Sequence, residues 1–312
     1  MLTGRYSSNA TSLTSSSKDG PLKIAIKIKK YSFLKLFVAI SLSLTLFGPK
    51  IWANEAESSD SFQRVDHLNP DQRQKSTRYF ALSDWGYLNI ESMHGNIYVT
   101  GHDKNFVEVS AIANKNPNFK RNVSSHNYPQ IHWSYEKENK EKHSGLLNIK
   151  CDYNQPSLAR VDFRVVVPRR ILSTFYTHKG DVSAYSVNAT ETGLFTLEGK
   201  ITVRYHRGAL HVHNYHGPSN LEVYDVGYEL IAQSDFGDLD VTFPRQEKNF
   251  SSDAEIKIMS KNGELDLDSP WDDLLTTEDG GFFSSEERAY GIFGNGKKKI
   301  LLKSFEADVN LH

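Results

Sequence analysis

The stretch EGKITVRYHRGALHVHNYHGPSNLEV, Glu198 to Val223, contains one phrase three times: a glycine followed by apolar residues at every second position. The copies are EGKITV (198–203), RGALHV (207–212) and HGPSNLEV (216–223). Alternation with a period of two marks a half-buried strand, because residues i and i+2 share a face. Glycine at the head of each phrase gives a turn access to positive φ without a steric cost. Outward from this stretch the phrase recurs as HGNIYV (94–99), KGDVSA (179–184), FGDLDV (236–241) and NGELDL (262–267). A decayed copy, EADVNL (306–311), has Ala307 in the glycine slot.

The spacing sets the expected architecture. Gly180, Gly199, Gly217 and Gly237 lie 19, 18 and 20 residues apart, with Gly208 and Gly227 near the midpoints of the last two intervals. A half-unit of about nine or ten residues holds one short strand and a turn. Repeats at so short a period predict an all-β chain, a single-domain β-solenoid (β-helix) whose coils stack, with flanking cap strands. An antiparallel β-sandwich also accommodates short strands at this spacing and is the alternative. The fixed phase of glycine followed by alternation favours coils. The inward pairs are expected to match as Ile201 with Val203, Leu210 with Val212, and Leu221 with Val223. Inward stacks such as Val182, Ile201, Leu221 and Leu239 should carry the stability.

The flanks read differently. QIHWSYEKE (130–138), LLNIKCDY (146–153) and RVDFRVVVP (160–168) are longer strands, the last ended by Pro168, which lacks a ladder donor. DSPWDDLLTTEDGGFFSSEERAYG (268–291) reads as a long irregular acidic insertion, after which KKKILLKSFEADVNL (297–311) returns to strand pattern. The first and last strand groups are the expected caps over the exposed end coils.

The N-terminal part carries an export pattern. Lys23, Lys27, Lys29, Lys30 and Lys35 precede and enter a mainly apolar run from Phe33 to Phe47, too short for a comfortable membrane span. Gly48 and Pro49 break it, and IWA at 51–53 places a small residue before a cleavage point between Ala53 and Asn54. Residues 1–53 are thus read as leader and signal peptide, with an uncleaved anchor as the alternative, 54–78 as a polar linker, and 79–312 as the β domain. After cleavage no integral membrane span is expected, and the location is extracytoplasmic, periplasm or cell surface.

Composition narrows the partners. The chain has 312 residues with 37 Lys and Arg against 38 Asp and Glu, a formal net charge of −1. No global field recruits nucleic acid, so no nucleic-acid partner is expected. The single cysteine, Cys151, forms no intrachain disulfide. It shares a strand face with Leu147, Ile149 and Tyr153 and reads as a buried small hydrophobe.

The leader, the opening YLNIESMHGNIYVTGHDKNFVEV (87–109), the VVVP at 165–168, the run of glycine phrases and the closing GNGKKKILLKSFEADVNL (294–311) come in a recognisable order. Together they resemble the bacterial putative-adhesin family of unknown function, over about residues 81–311. The resemblance implies a small β-solenoid and a role at the cell envelope, and it carries no catalytic residue. The chain departs from the family in the acidic insertion at 271–288 and at Ala307.

Three groups of side chains are candidates for binding. Alternation sends His211 and His213 outward, with His206 on the same outward phase and His216 at the next turn. Two imidazoles at strand spacing would hold a metal only with a third ligand, and no closed zinc pattern is present, so polar surface is the reading. The outward positions after several glycines are acidic: Asp181, Asp238, Asp240, Glu264, Asp266, Asp268 and Asp308. Stacked coils would align them at about 4.8 Å, where carboxylates repel unless solvent or a hard cation such as calcium neutralises them. Tyr224 continues the outward phase of Glu222 and is the aromatic surface candidate, whereas Tyr205 continues the inward phase of Ile201 and Val203. The binding candidates are therefore His211, His213, Tyr224, Asp238, Asp240, Glu264 and Asp266. No catalytic residue, metal or cofactor is assigned. The expected function is an exported, non-enzymatic, adhesin-like interaction surface for a glycan, an envelope component or a protein. The alternatives are a polysaccharide-active β-helix enzyme, which would need two carboxylates across a cleft, and a structural scaffold in an envelope complex.

Overall fold

The computed structural model describes residues 61–82, 85–136, 145–243, 253–269, 271–279 and 286–312. The leader reading over 1–53 falls outside them. In chain order the elements begin with β1 (Ser61–His67), β2 (Lys75–Phe80), β3 (Tyr87–His94), β4 (Ile97–Gly101) and β5 (Val107–Lys115). They continue with β6 (Gln130–Glu136), β7 (Leu146–Asp152), β8 (Ala159–Val167), β9 (Leu172–Lys179) and β10 (Val182–Tyr185). The repeat region holds β11 (Asn188–Glu198), β12 (Ile201–His216), β13 (Ser219–Phe236) and β14 (Leu239–Thr242). Then come β15 (Asp253–Lys261), β16 (Leu265–Leu267), the four-residue helix α1 (Trp271–Leu274), β17 (Thr276–Asp279), β18 (Glu286–Gly294), β19 (Lys298–Ser304) and β20 (Val309–Leu311). The all-β expectation holds.

The strands form two long parallel ladders. One runs β7, β3, β9, β11, the second half of β12, the second half of β13, β19 and β15. The other runs β8, β4, β10, the first half of β12, the first half of β13, β14, β20 and β16. Each pass of the chain gives one strand to each ladder and turns between them at the repeated glycine, except at β7–β8, which has no glycine, and at β19–β20, where Ala307 stands in its place. Antiparallel pairing among the described residues is confined to the two ends, β1–β6–β7 and β2–β5–β8 at one and β15–β18–β17 at the other. The parallel centre does not match the antiparallel-sandwich alternative.

Alternation builds the core. In the first ladder Ile149, Ile90, Phe175, Leu194, Val212, Ala232, Leu302 and Ile258 occupy one inward column, each paired in register with the next. All are at most 2% exposed. Burying such a side chain contributes roughly 1.5–3 kcal/mol for Val, Leu, Ile or Phe, so the column is a main source of stability. In the second ladder the column is Ile97, Val182, Ile201, Ser219, Leu239, Val309 and Leu265. Here the sequence reading needs correction. Leu221 pairs with Val203 and Val241, one column over, and Ser219 takes the place between Ile201 and Leu239. The phrase HGPSNLEV carries two more residues between its glycine and its first large apolar residue than EGKITV does, and the turn does not absorb them.

The stacking order is not the chain order at either end. The pass β3–β4 lies between the later pass β7–β8 and the pass β9–β10. The final pass β19–β20 lies between β13–β14 and the earlier pass β15–β16. Each end is therefore an interlock in which an inner pass is clamped by sequence from elsewhere. The C-terminal strands are not the cap that the sequence suggested. The supposed irregular insertion supplies it instead, as α1, β17 and β18. Trp271, 6% exposed, packs there against Phe243 (5.7 Å between rings) and Phe293 (6.4 Å).

At the other end, residues 61–78, read above as part of a linker, carry β1 and the start of β2. Their polar residues are used by pairing and by one carboxylate. Asp66 accepts from Trp133 Nε1 (2.9 Å), Ser76 Oγ (2.8 Å), Arg64 Nε (2.9 Å) and the Arg78 guanidinium (3.0 and 2.9 Å). Burial pushes the Asp66 carboxyl up, but the Arg78 and Ser76 hydrogen bonds outweigh it and hold it below its ordinary value. Phe80 stacks on Trp133 and Phe62 at 5.9 Å each, closing this end of the core.

Candidate functional site

The glycines fix the corner where the first ladder passes to the second. A Cβ on Gly180 would lie 2.2 Å from the carbonyl oxygen of Gly95, one on Gly199 2.1 Å from that of Gly180, and one on Gly237 2.2 Å from that of Gly217. Close approach of one pass to the next, more than the turn itself, excludes a side chain here. Three residues before each of these positions stands a small polar residue that faces the interior. Thr177 Oγ1 donates to Gly95 O (2.9 Å), Thr196 Oγ1 to Gly180 O (2.9 Å), Asn214 Nδ2 to Gly199 O (3.0 Å) and Ser260 Oγ to Ala307 O (3.2 Å). Ser234 Oγ makes the equivalent bond to Gly237 O in its own turn. The sequence reading missed this column, although its signal was present as Ser, Thr or Asn three residues ahead of each glycine.

Cys151 stands in the same column, in register with Ser92. It is fully buried, and burial pushes its thiol up to about 12, so it is no poised nucleophile.

The histidines divide. Alternation sends His206 outward, but the structure buries it, at 0% exposed. Tyr205 adopts φ +58°, which turns the chain, so the two-residue alternation breaks. His206 points inward opposite Val223, while Tyr205, expected to pack inward, is 51% exposed. The His206 ring donates through Nε2 to Ala209 O at 3.3 Å, and burial pushes it down to about 4.

His211 and His213 do lie on the outer side of the first ladder, with Leu210 and Val212 inward at the alternate positions. His211 is nonetheless covered, at 6% exposed. Its Nε2 is 2.8 Å from Glu229 Oε1 and its Nδ1 3.4 Å from Glu191 Oε1. The Tyr228 hydroxyl donates to Glu191 Oε2 at 2.6 Å, and burial together with that carboxylate pushes the phenol up. With a carboxylate at each ring nitrogen, His211 on β12 bridges Glu191 on β11 and Glu229 on β13. Among the described residues no group of three or more His, Cys, Asp or Glu forms a metal cluster.

His213 is half-buried, with Nε2 3.3 Å from Asp235 Oδ2. Gln233 Nε2 donates to Asp235 Oδ1 at 2.8 Å. Beside this polar group three exposed rings meet at the glycine corner. Tyr215 and Phe236 stand edge to face at 5.2 Å, His216 lies nearly parallel to Phe236 at 4.7 Å, and Tyr215 meets His216 at 4.6 Å. Tyr215 is 41% and Phe236 37% exposed. The sequence reading named His216 as a turn residue but did not foresee Phe236 beside it, because the two are neighbours only across the β12–β13 register.

The acidic candidates occupy the second ladder and its turns. Asp181 accepts the Lys200 N–H (2.9 Å) and Asp308 the Glu264 N–H (2.8 Å), each tying one pass to the next. The expected continuous acidic stripe is interrupted. Asp240 sits between Asn220 and Asn310, and Asn310 separates it from Asp266. Asn310 Nδ2 donates to Asp240 Oδ1 at 2.6 Å. With the Asn220 amide nitrogen turned to Asp240 Oδ2 (3.0 Å), its oxygen accepts from Lys200 Nζ (3.1 Å). Asp238, Glu264 and Asp266 are exposed. Tyr224 lies at the opposite corner, half-buried, its ring 5.2 Å from Tyr205. The sequence candidates thus fall on three separate surfaces: His211 and His213 on the outer side of the first ladder, Asp238, Asp240, Glu264 and Asp266 along the second ladder and its turns, and Tyr224 alone at the opposite corner.

No family model matches the chain, and no curated protein matches it. Among solved structures it is similar to a protein described as a putative cell adhesion protein from Clostridium sporogenes, at 13% identity and a TM-score of 0.42, over 81% of this chain and 99% of that one. It is also similar to a protein described as a putative adhesin from Bacteroides fragilis, at 8% identity and a TM-score of 0.23, over 77% of this chain and 98% of that one.

Proposed function

We propose that this chain is an exported, non-enzymatic interaction module of the cell envelope, adhesin-like in character, whose stacked ladders act as a rigid β-solenoid presenting a glycan-binding surface. The observation that carries the reading is the exposed trio Tyr215, His216 and Phe236 beside the His213–Asp235–Gln233 hydrogen-bonded group. Ring faces offer apolar contact to the C–H side of a sugar, and adjacent polar groups offer directional bonds to its hydroxyls. The rings are held by two neighbouring strands of a long parallel ladder, so little ordering entropy is lost on binding.

Glycan-array screening of the purified protein tests this. A hit should weaken at least tenfold in Phe236→Ala while the thermal transition stays within a few degrees. A hit unchanged by Phe236→Ala, or an array with no hit, removes the reading. Protease shaving of intact cells, with lysed cells as control, assigns the compartment. Cleavage on whole cells places the domain at the surface, and cleavage only after lysis places it in the periplasm.

A further inference from the structure

A recess of about 440 Å³ opens at the corner opposite Gly180, Gly199 and Gly217, lined by Asp103, Lys104, Asn105, Arg169, Arg170 and Asn188. Its origin is topological. Where passes follow one another in chain order, each turn at this corner lies against the next. Here the order is broken. The chain leaves β4 into β5, which folds back antiparallel on β8. The β8–β9 connection must then step over the β3–β4 pass, because β8 pairs with β4 whereas β9 pairs with β11 on the far side. The stepping turn is tied at both edges: Arg170 N–H donates to Asn188 O (3.3 Å), and Trp85 N–H donates to Arg170 O (2.9 Å). Arg170 itself holds φ +60°. Interruptions of this kind leave concavities that regular stacking would fill, as at the switch points of other sheets.

We propose that this recess binds an anionic group, a sugar carboxylate or a phosphate. Leaving Arg170 out of the balance, its described lining carries two cations, Lys104 and Arg169, against one carboxylate, Asp103, in a chain whose formal net charge is −1. Arg169 Nε meets Asp103 Oδ1 at 2.7 Å, with the two side chains 60% and 75% exposed. An ion pair that open contributes little to stability and is readily exchanged for an incoming anion. Guanidinium groups recognise carboxylate and phosphate through paired donors. The amides of Asn105 and Asn188 add neutral donors at the rim.

The loop that carries Lys104 is held in advance. The His102 ring donates through Nε2 to Phe106 O (2.8 Å) and accepts the Lys104 N–H at Nδ1 (3.2 Å), which fixes the neutral tautomer. His102 also packs on the Phe106 ring at 4.9 Å, and Lys104 Nζ lies 5.6 Å from the same ring. Preorganised cations lose less entropy on capturing a ligand than free side chains do.

This site lies on the other corner from the aromatic trio, and its test does not depend on that reading. Isothermal titration of the full chain with 3′-sialyllactose, with inorganic phosphate and with neutral lactose, at physiological salt, decides it. Saturable binding of either anion, without binding of lactose, is expected. Lys104→Ala with Arg169→Ala should weaken it at least tenfold at an unchanged thermal transition, and Asp103→Asn should tighten it several-fold by removing the competing carboxylate. Binding of sialyllactose alone assigns an acidic glycan, and binding of phosphate alone assigns a phosphorylated ligand. The proposal is overturned if neither anion binds saturably, if lactose binds equally, or if the double variant binds as the parent does.

Discussion

Gly217 lies on the backbone carbonyl of Gly199, so close that a Cβ added to Gly217 would stand 2.2 Å from that oxygen. Its φ of +129° is also one that other residues rarely adopt. Gly217→Ala is therefore strained twice, by its own backbone and by the pass beneath it. Nothing flexible can give way, since the opposing atom is main chain. The variant should lose about 2–4 kcal/mol in urea denaturation. A midpoint within error of the parent would sink the stacked-glycine account of the corner.

His206 predicts a pH dependence. Its imidazole is pushed down to about 4 by burial, against 6.5 for the free side chain. Between those values the unfolded chain binds a proton that the folded chain refuses, so stability falls as pH falls. The loss begins near pH 6.5 and is complete below about pH 4, where it reaches roughly 3 kcal/mol. His206→Leu removes this term. Comparing the two proteins from pH 7 to pH 4 by denaturant titration should show the parent losing more. The loss from Asp66 is shared and cancels. Parallel curves would mean that His206 is not buried as a neutral ring.

These two residues mark what was and was not legible in the sequence. Alternation located inward residues wherever a strand ran straight: Ile201, Val203, Leu239 and Val241 are all at most 1% exposed. It failed at Tyr205, where one residue with positive φ reversed the phase and put His206 inside. It also failed to align Leu221, because alternation gives the face of a residue but not its register against the next pass. The interlocked ends were invisible for a related reason. Which pass lies beside which is decided by long-range pairing, and β19 and β20 look the same in sequence whether they end the stack or sit inside it. Asn310 and Phe236 gain their neighbours only through that pairing. The polar column ahead of the glycines was legible and overlooked, because attention to apolar periodicity treats Thr196 and Asn214 as interruptions.

Ser219 supplies a stabilising prediction. It occupies an inward column between Ile201 and Leu239, is 0% exposed, and no described atom bonds its Oγ. A buried hydroxyl without a partner costs about 1–3 kcal/mol, and its neighbours above and below are apolar. Ser219→Val fills the same column with a β-branched side chain suited to a strand. The variant should raise the thermal midpoint, by an amount equivalent to about 1 kcal/mol. A lowered midpoint would show that the column has no room for the added methyl groups or that the hydroxyl is satisfied by solvent.

Asn310 separates Asp240 from Asp266 in the outer column of the second ladder. It donates to Asp240 at 2.6 Å, so the column alternates amide and carboxylate where like charges would otherwise stand at about 4.8 Å. Asn310→Asp removes the donor and sets three carboxylates in succession. Two losses follow, the hydrogen bond and the new repulsion, together about 1–2 kcal/mol at pH 7 and low salt. They separate by their response to conditions. Repulsion is screened by added salt, and it is relieved by millimolar calcium, which bridges hard oxygen ligands. The hydrogen-bond loss is indifferent to calcium. Thermal midpoints of parent and variant at pH 7, at low and high salt and with and without calcium, measure both. A deficit that shrinks with salt and with calcium places the repulsion in the column. A deficit that stays constant leaves only the lost hydrogen bond, and the outer carboxylates are then too well solvated to sense one another.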